Sequence, residues 1–248
     1  MRKKIVFILL AFIALLFLIN LIAGHFLAKR LDQELQDIFN PAYSVSDSVP
    51  SDSISYGSIT VNPLMSTVTI YDFHYFLDGV TGFELESSRF TFRIPYKDLF
   101  HIIFYREYFQ TLSFSVCLGE PQITPSRRFK DQYGVLLSML GIPSETFSMD
   151  LFCVSFKIDE ENNIYAMDNI VLEARAFDLS AYLEWIPGSP PQIENGSVTF
   201  VRIEPEYQII LDSIEQLIGK PIPQKNGHPH FTFSGRFSAP EIHYFMQE

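Results

Sequence analysis

Apolar positions along this chain follow three successive rhythms. The first is continuous. From Ile5 to Ala23 the 19 residues are apolar with one polar interruption, Asn20. At ~1.5 Å per residue such a run approaches the ~30 Å hydrocarbon core of a bilayer, and it predicts a transmembrane helix. A cleaved signal peptide has a shorter apolar region that ends at a small-x-small site. Here the exit reads Ile22-Ala23-Gly24-His25-Phe26-Leu27-Ala28, with no such site directly after the run. An uncleaved signal anchor is favoured over a cleaved signal. The second rhythm is helical. Leu31, Leu35, Ile38 and Phe39 within residues 29–39 predict an amphipathic stalk that Pro41 ends. Residues 41–53, rich in Ser, Pro and Asp, read as a linker.

The third rhythm, from Ile54 onward, has period two. Ile59 alternates with Val61, and Thr67-Val68-Thr69-Ile70-Tyr71 follows a turn at Pro63. Further alternating sets are Phe90/Phe92/Ile94, Leu112/Phe114/Val116/Leu118, Phe152/Val154/Phe156/Ile158 and Ile170/Leu172/Ala174/Ala176. Val198 with Phe200, then Phe231, Phe233 and Phe237, complete the series. Strict alternation implies one apolar and one wet face, as in antiparallel sheets, and about eight or nine strands are predicted. Helical patches punctuate them at Tyr96–Tyr105, Gln132–Leu140 and Leu179–Ile186. The clearest is Glu206–Ile218, where Ile210, Ile214, Leu217 and Ile218 form a stripe that Gly219 and Pro221 stop. The expected fold class is mainly β: an N-terminal transmembrane helix, then a twisted, mostly antiparallel, curved sheet with a few short helices. The same alternation fits an open groove-like sheet or a sandwich. The expected organisation is residues 1–28 as cytoplasmic tip and anchor, 29–53 as stalk and linker, and 54–248 as one β-rich domain.

Charge places these parts relative to a membrane. Arg2, Lys3 and Lys4 precede the apolar run, Lys29 and Arg30 follow it, and the next Lys or Arg is Arg89. That asymmetry predicts a cytoplasmic N-terminus with the rest of the chain outside. Thirteen Lys and Arg against all 29 Asp and Glu follow residue 30, a net of −16 for the exterior part. Such a domain is not expected to lie flat on an anionic bilayer surface, and no nucleic-acid partner is expected.

Signatures of catalysis are missing from the sequence: no nucleophile elbow, phosphate loop, dinucleotide fingerprint or zincin motif occurs. Neither a catalytic residue nor a cofactor nor a metal site is expected. His228-Pro229-His230 is a close histidine pair, but a metal site needs three or four ligands, and the pair reads as a solvated turn entering the last strand. Asp159-Glu160-Glu161-Asn162-Asn163 lacks the alternating spacing and glycine of a calcium loop and reads as a hairpin turn. Asn195-Gly196 reads as a turn rather than a glycosylation site. Cys117 and Cys153 sit inside strands on the less apolar face. Their placement is compatible with a disulfide across neighbouring strands and equally with two half-buried thiols.

Several blocks together resemble the AsmA-like envelope proteins. An anchor and stalk precede Tyr56-Gly57-Ser58-Ile59-Thr60-Val61-Asn62-Pro63-Leu64 and Thr67-Val68-Thr69-Ile70-Tyr71-Asp72-Phe73. Tyr96-Lys97-Asp98-Leu99-Phe100, the strand Leu112–Leu118 and Pro121-Gln122-Ile123 follow. Arg127 and Arg128 precede Tyr133–Leu140, and the chain closes on Phe231–Ile242. The chain looks like a minimal member, similar in plan to the N-subunit of type II secretion systems. The resemblance implies a single-pass inner-membrane protein with a periplasmic curved sheet, an apolar groove, and a non-enzymatic role in lipid movement or envelope maintenance. Its partners would be the inner membrane through residues 5–23, phospholipid and other envelope proteins. The residues expected to line a lipid groove are Val68, Ile70, Phe90, Phe92, Leu112, Phe114, Val116, Val154, Phe156, Ile170 and Leu172. The alternative from a different class is a structural adaptor of an envelope or secretion assembly, whose β domain is filled by its own side chains.

Overall fold

The computed structural model describes residues 2–39, 52–77, 82–96, 111–127, 130–131, 146–237 and 239–243. The expected helical patches at 97–105 and 132–140 and the linker positions 41–51 lie outside the described residues. Anchor and stalk form one uninterrupted helix, α1 (Arg2–Phe39). Within it, Phe12–Gln36 is long and apolar enough to cross a membrane, with 25 residues and a mean hydropathy of 2.0. Its apolar side chains, such as Phe12, Phe17 and Ile22, are exposed, as a lipid-facing helix requires.

The rest is mainly β. The strands are β1 (Asp52–Ser55), β2 (Ser58–Asn62), β3 (Thr67–Leu77), β4 (Phe83–Arg93), β5 (Thr111–Gly119), β6 (Gln122–Pro125) and β7 (Phe147–Ser148). They continue as β8 (Leu151–Asp159), β9 (Ile164–Glu173), β10 (Phe177–Ile186), β11 (Gln192–Ile203), β12 (Gln224–Lys225), β13 (His228–Arg236) and β14 (Ala239–His243). A short 3-10 turn, Pro63–Met65, joins β2 to β3, and helix α2 (Pro205–Ile218) joins β11 to β12. All fourteen strands belong to one open, curved, antiparallel sheet ordered β1-β3-β4-β5-β8-β9-β10-β11-β13-β12. β2 pairs with β3, β6 with β4 and β7, and β14 with β13.

Four expectations need correction. Among the described residues the strands number fourteen, partly because the β1–β2, β5–β6 and β7–β8 lines are each interrupted and partly because β10, β12 and β14 add to the expected set. Leu179–Ile186 is not helical. It lies in β10, where Leu179, Ala181, Leu183 and Trp185 pair with Leu172, Ile170, Met167 and Tyr165 of β9. Two neighbouring strands outweigh the helix preference of Leu, Ala and Glu in that segment. Asn195-Gly196 is not a turn but part of β11. A Cβ on Gly196 would stand 2.3 Å from the Phe233 ring, so glycine is there to admit that ring. His228-Pro229-His230 opens β13, and His230 is buried with its Nδ1 2.7 Å from Thr199 Oγ1 rather than solvated. In addition β1 begins at Asp52, inside the segment read as linker. The expected hairpin at 159–163 is present, joining β8 to β9.

The interruptions line up across the sheet as a seam. Gly57 separates β1 from β2 and donates its N–H to Tyr71 O at 2.9 Å. Asp72 on β3 adopts a left-handed φ of 51°, and Glu120 between β5 and β6 one of 49°. On β4, Ser87 and Ser88 both donate to Gly119 O, at 2.8 and 3.0 Å. The line continues through Glu120 N to Asp150 O (3.0 Å) and Asp150 N to Glu173 O (2.7 Å). Arg202 then reaches Ala174 O at 2.8 Å while pairing with Asp178. Pro121, Met149, Ala174 and Ser87 along this seam are buried. The irregularities satisfy one another's backbone groups, which a lone bulge in a regular sheet would strand.

Candidate functional site

The seam determines how the two faces are populated. Above it, Ile70, Phe90, Leu118 and Phe152 lie on one face, connected through the register Ile70↔Phe90↔Leu118↔Phe152. Below it, Phe73 pairs with Ser87, and Met149 precedes that Phe152 by three residues. Each strand line therefore steps by three across the seam, Ile70 to Phe73, Ser87 to Phe90, Leu118 to Pro121 and Met149 to Phe152. The Phe73 and Phe90 rings meet at 5.0 Å, so both lie on the same face despite opposite parity. Apolar side chains thus keep one face over the full length of β3 and β4.

All eleven predicted groove residues lie on this face. Val68, Phe92, Val116 and Val154 form one cross-strand row, and Ile70 with Phe90 the next. Phe114 stacks on Phe156 at 4.8 Å and touches Phe92 at 5.4 Å. Leu112 pairs with Ile158, and Leu172 with Phe152. Ile170 pairs with Ala181 across β10. Ile70 and Val154 are buried, and the other nine are half-exposed.

Sequence reading missed about half of the face. The helical pattern of 179–186 conceals Leu179, Ala181, Leu183 and Trp185, and the parity change at the seam conceals Phe73, Tyr75 and Phe147. A three-residue step between apolar runs was the available signal. Rings continue along the face through Phe147–Phe177, Phe177–Phe200 and Phe200–Phe231 at 6.3, 5.7 and 6.2 Å. Tyr165, Trp185 and Phe237 form a second chain. Edge-to-face and stacked rings of this kind pack with one another while leaving their outer surface apolar.

The opposite face carries hydroxyl, charged and sulfur groups. Cys117 and Cys153 are directly paired across β5 and β8 and form a disulfide. Asp178 accepts two bonds from Arg202, at 2.6 and 2.9 Å, and that guanidinium holds its carboxyl below the usual range. Tyr182 donates to Glu184, and that hydrogen bond, with burial, pushes the phenol up to about 12. Burial, aided by the charge of Lys225, lowers His230. Beside the seam a cleft of about 370 Å³ is lined by Asp72, Phe73, His74, Glu86, Ser87, Ser88, Glu120 and Gln122. His74, Glu84 and Glu86 bring their ligand atoms within 4.8 Å of one another at its rim. His74 Nε2 lies 2.7 Å from Glu84, and its Nδ1 lies 3.4 Å from Ser55 Oγ. These are the donors available for a cation among the described residues. Only the β3–β4 register, which sets His74 opposite Glu86, brings them together, so no local motif marks them.

The most extensive feature is thus a surface: a broad apolar face backed by a polar face and tied to an apolar N-terminal helix. Protein-family models and curated proteins show no match to this chain, so its function is argued from that geometry.

Proposed function

We propose that this chain is a single-pass membrane protein whose exterior β domain binds or passes lipid acyl chains along its apolar face, without covalent chemistry. In this reading the N-terminus is cytoplasmic, the sheet stands in a periplasm, and the role is AsmA-like envelope maintenance. The carrying observation is the continuous, half-exposed row of aromatic and aliphatic side chains from β3 to β13. Covering apolar surface yields roughly 25 cal/mol per Å², and a face of this extent favours an apolar occupant. Both neighbouring strands and the seam hold that face in place, which a loop-built groove would not achieve. Its width also bears on the role. Ten strands lie along the sheet path, and nine spacings of ~4.8 Å give roughly 43 Å, suited to a local carrier rather than a long bridge.

The test is photo-crosslinking of the full chain in membranes that contain a phospholipid with a diazirine in its acyl chain. Crosslinked peptides from β5 and β8 around Phe114 and Phe156 are expected. Crosslinks confined to α1 would remove the lipid-carrier reading and put the structural adaptor in its place.

A further inference from the structure

α1 is not a free tether, because it lies along the outer edge of β2. Asn20, Gly24, Ala28 and Asp32 recur every four residues and so share one stripe of the helix. At the lower end, Tyr56 OH donates to Asp32 Oδ1 at 2.7 Å. Burial, with that carboxylate's hydrogen bond and charge adding, pushes the Tyr56 phenol up to about 12. In the middle, Gly24 is buried against β2, and a Cβ there would stand 2.3 Å from Val61 O. At the upper end, Leu64 N–H donates to Asn20 Oδ1 at 2.8 Å. Helix and strand therefore run antiparallel, and the turn Pro63–Met65 is held beside Asn20.

Depth along the helix then locates the turn. Lys29 and Arg30 mark where the chain leaves the apolar region. Asn20 is nine residues earlier, about 13 Å nearer the bilayer centre at ~1.5 Å per residue, and three residues inside the end of the apolar run at Ala23. A polar side chain at that level must be satisfied, and Leu64 N–H satisfies it. The turn presents apolar groups outward: Leu64 is 50% and Met65 60% exposed. Tyr96 OH donates to Pro63 O at 2.8 Å and to Leu64 O, bracing the turn with an amphipathic ring suited to a membrane interface.

We infer that the Pro63–Met65 turn is a wedge seated in the lipid leaflet at the exterior end of α1. Leu64 and Met65 lie among the upper acyl carbons, and Tyr96 lies at headgroup level. The occupant of this surface is the bilayer that holds α1. The sheet is thereby fixed to the leaflet at two places rather than hanging from a flexible stalk. Val61 and Val68, which pair beside the turn, begin the apolar face at the level where acyl chains start. The inference rests on α1 crossing the bilayer and not on lipid binding by the sheet.

The experiment uses the full chain in phospholipid vesicles, with the Cys117–Cys153 disulfide intact and one added thiol carrying an environment-sensitive fluorophore. Met65→Cys is the test position. Phe12→Cys reports anchoring. Phe76→Cys, nine residues along β3 from Thr67 and about 30 Å away at ~3.3 Å per residue, reports the far end of the sheet. The expected result is a blue-shifted Met65→Cys label, quenched several times more strongly by lipids with a nitroxide high on the acyl chain than by an aqueous nickel chelate. The Phe76→Cys label should show the reverse preference. If the Met65→Cys label prefers the aqueous quencher while Phe12→Cys is quenched by lipid, the wedge is overturned and anchoring stands. If neither is quenched by lipid, anchoring and wedge fall together. Leu64→Asp with Met65→Cys is a second variant, expected to move the label toward the aqueous quencher with the far-end label unchanged. No movement in that variant would also overturn the wedge.

Discussion

Phe114 and Ser115 are neighbours in β5, yet they belong to two different surfaces. Phe114 stacks on Phe156 and meets Phe92 at a tilt on the apolar face. Ser115 points to the other side, with Cys117, Ser155 and Lys157 as its row and column neighbours. The polar face is held by directional bonds: a disulfide, the Arg202–Asp178 pair and a series of hydroxyls. The apolar face is built from ring contacts and aliphatic cross-strand rows, and most of its described side chains remain half-buried. The backbone ladder ties the strands together, and the polar side adds side-chain links to it. The other side is open, and it is the side that the proposed function gives to acyl chains.

The sharpest way to break the contrast is to move one charge across it. Phe114→Asp should abolish acyl-chain crosslinking to β5 and β8, while Ser115→Asp, the same charge one residue on, should leave it intact. Crosslinking is to be compared in chains whose disulfide and circular dichroism are unchanged. Equal crosslinking in both variants would show that the faces do not differ in function. The next largest effect concerns the tie between strands. Replacing Cys117 and Cys153 by Ser releases a loop of 36 residues and should lower unfolding free energy by about 3–4 kcal/mol, read by denaturant titration. Third, Asp72→Val forces a branched side chain into a left-handed conformation at the seam and should cost about 1–2 kcal/mol. Asp72→Gly should cost nothing, and equal losses in both would mean that the backbone at 72 is not the determinant. The smallest effect is a pH slope. His230 is held below its ordinary value of 6.5, so the unfolded chain binds the proton first. Its contribution is full above about pH 6.5 and is lost as pH falls through that value toward the lower folded one. Thermal melts of His230→Asn across that window should show a flatter slope than the parent chain.

Much of this architecture was legible in the residues. Strict alternation at Leu112–Leu118 and Phe152–Ile158 placed the groove candidates on one face and both cysteines on the other. Whether the cysteines pair was open, since pairing depends on β5 and β8 being neighbours in register, a long-range fact. The β10 segment misled because Leu179, Ala181, Leu183 and Glu184 favour helix locally, and only β9 and β11 on either side make the extended form the better one. The His74, Glu84 and Glu86 cluster was invisible for the same reason: its members meet through register alone. Asn20 was readable as an interruption of the apolar run, but its partner, Leu64 N–H, lies 44 residues away.

The seam also has a consequence for descent. A single inserted or deleted residue normally turns the remainder of a strand inside out. Here the three-residue step is shared by β3, β4 and the β5–β6 and β7–β8 lines, so a lineage that lost it on one line alone would place Phe73 or Pro121 among the hydroxyls. Loss would have to be collective. Distant kin of this chain should therefore carry the whole set of irregularities or none of it. Alignment gaps between them should fall together near 57, 72, 88, 120 and 150, giving the family a positional signature even where residue identities have drifted apart.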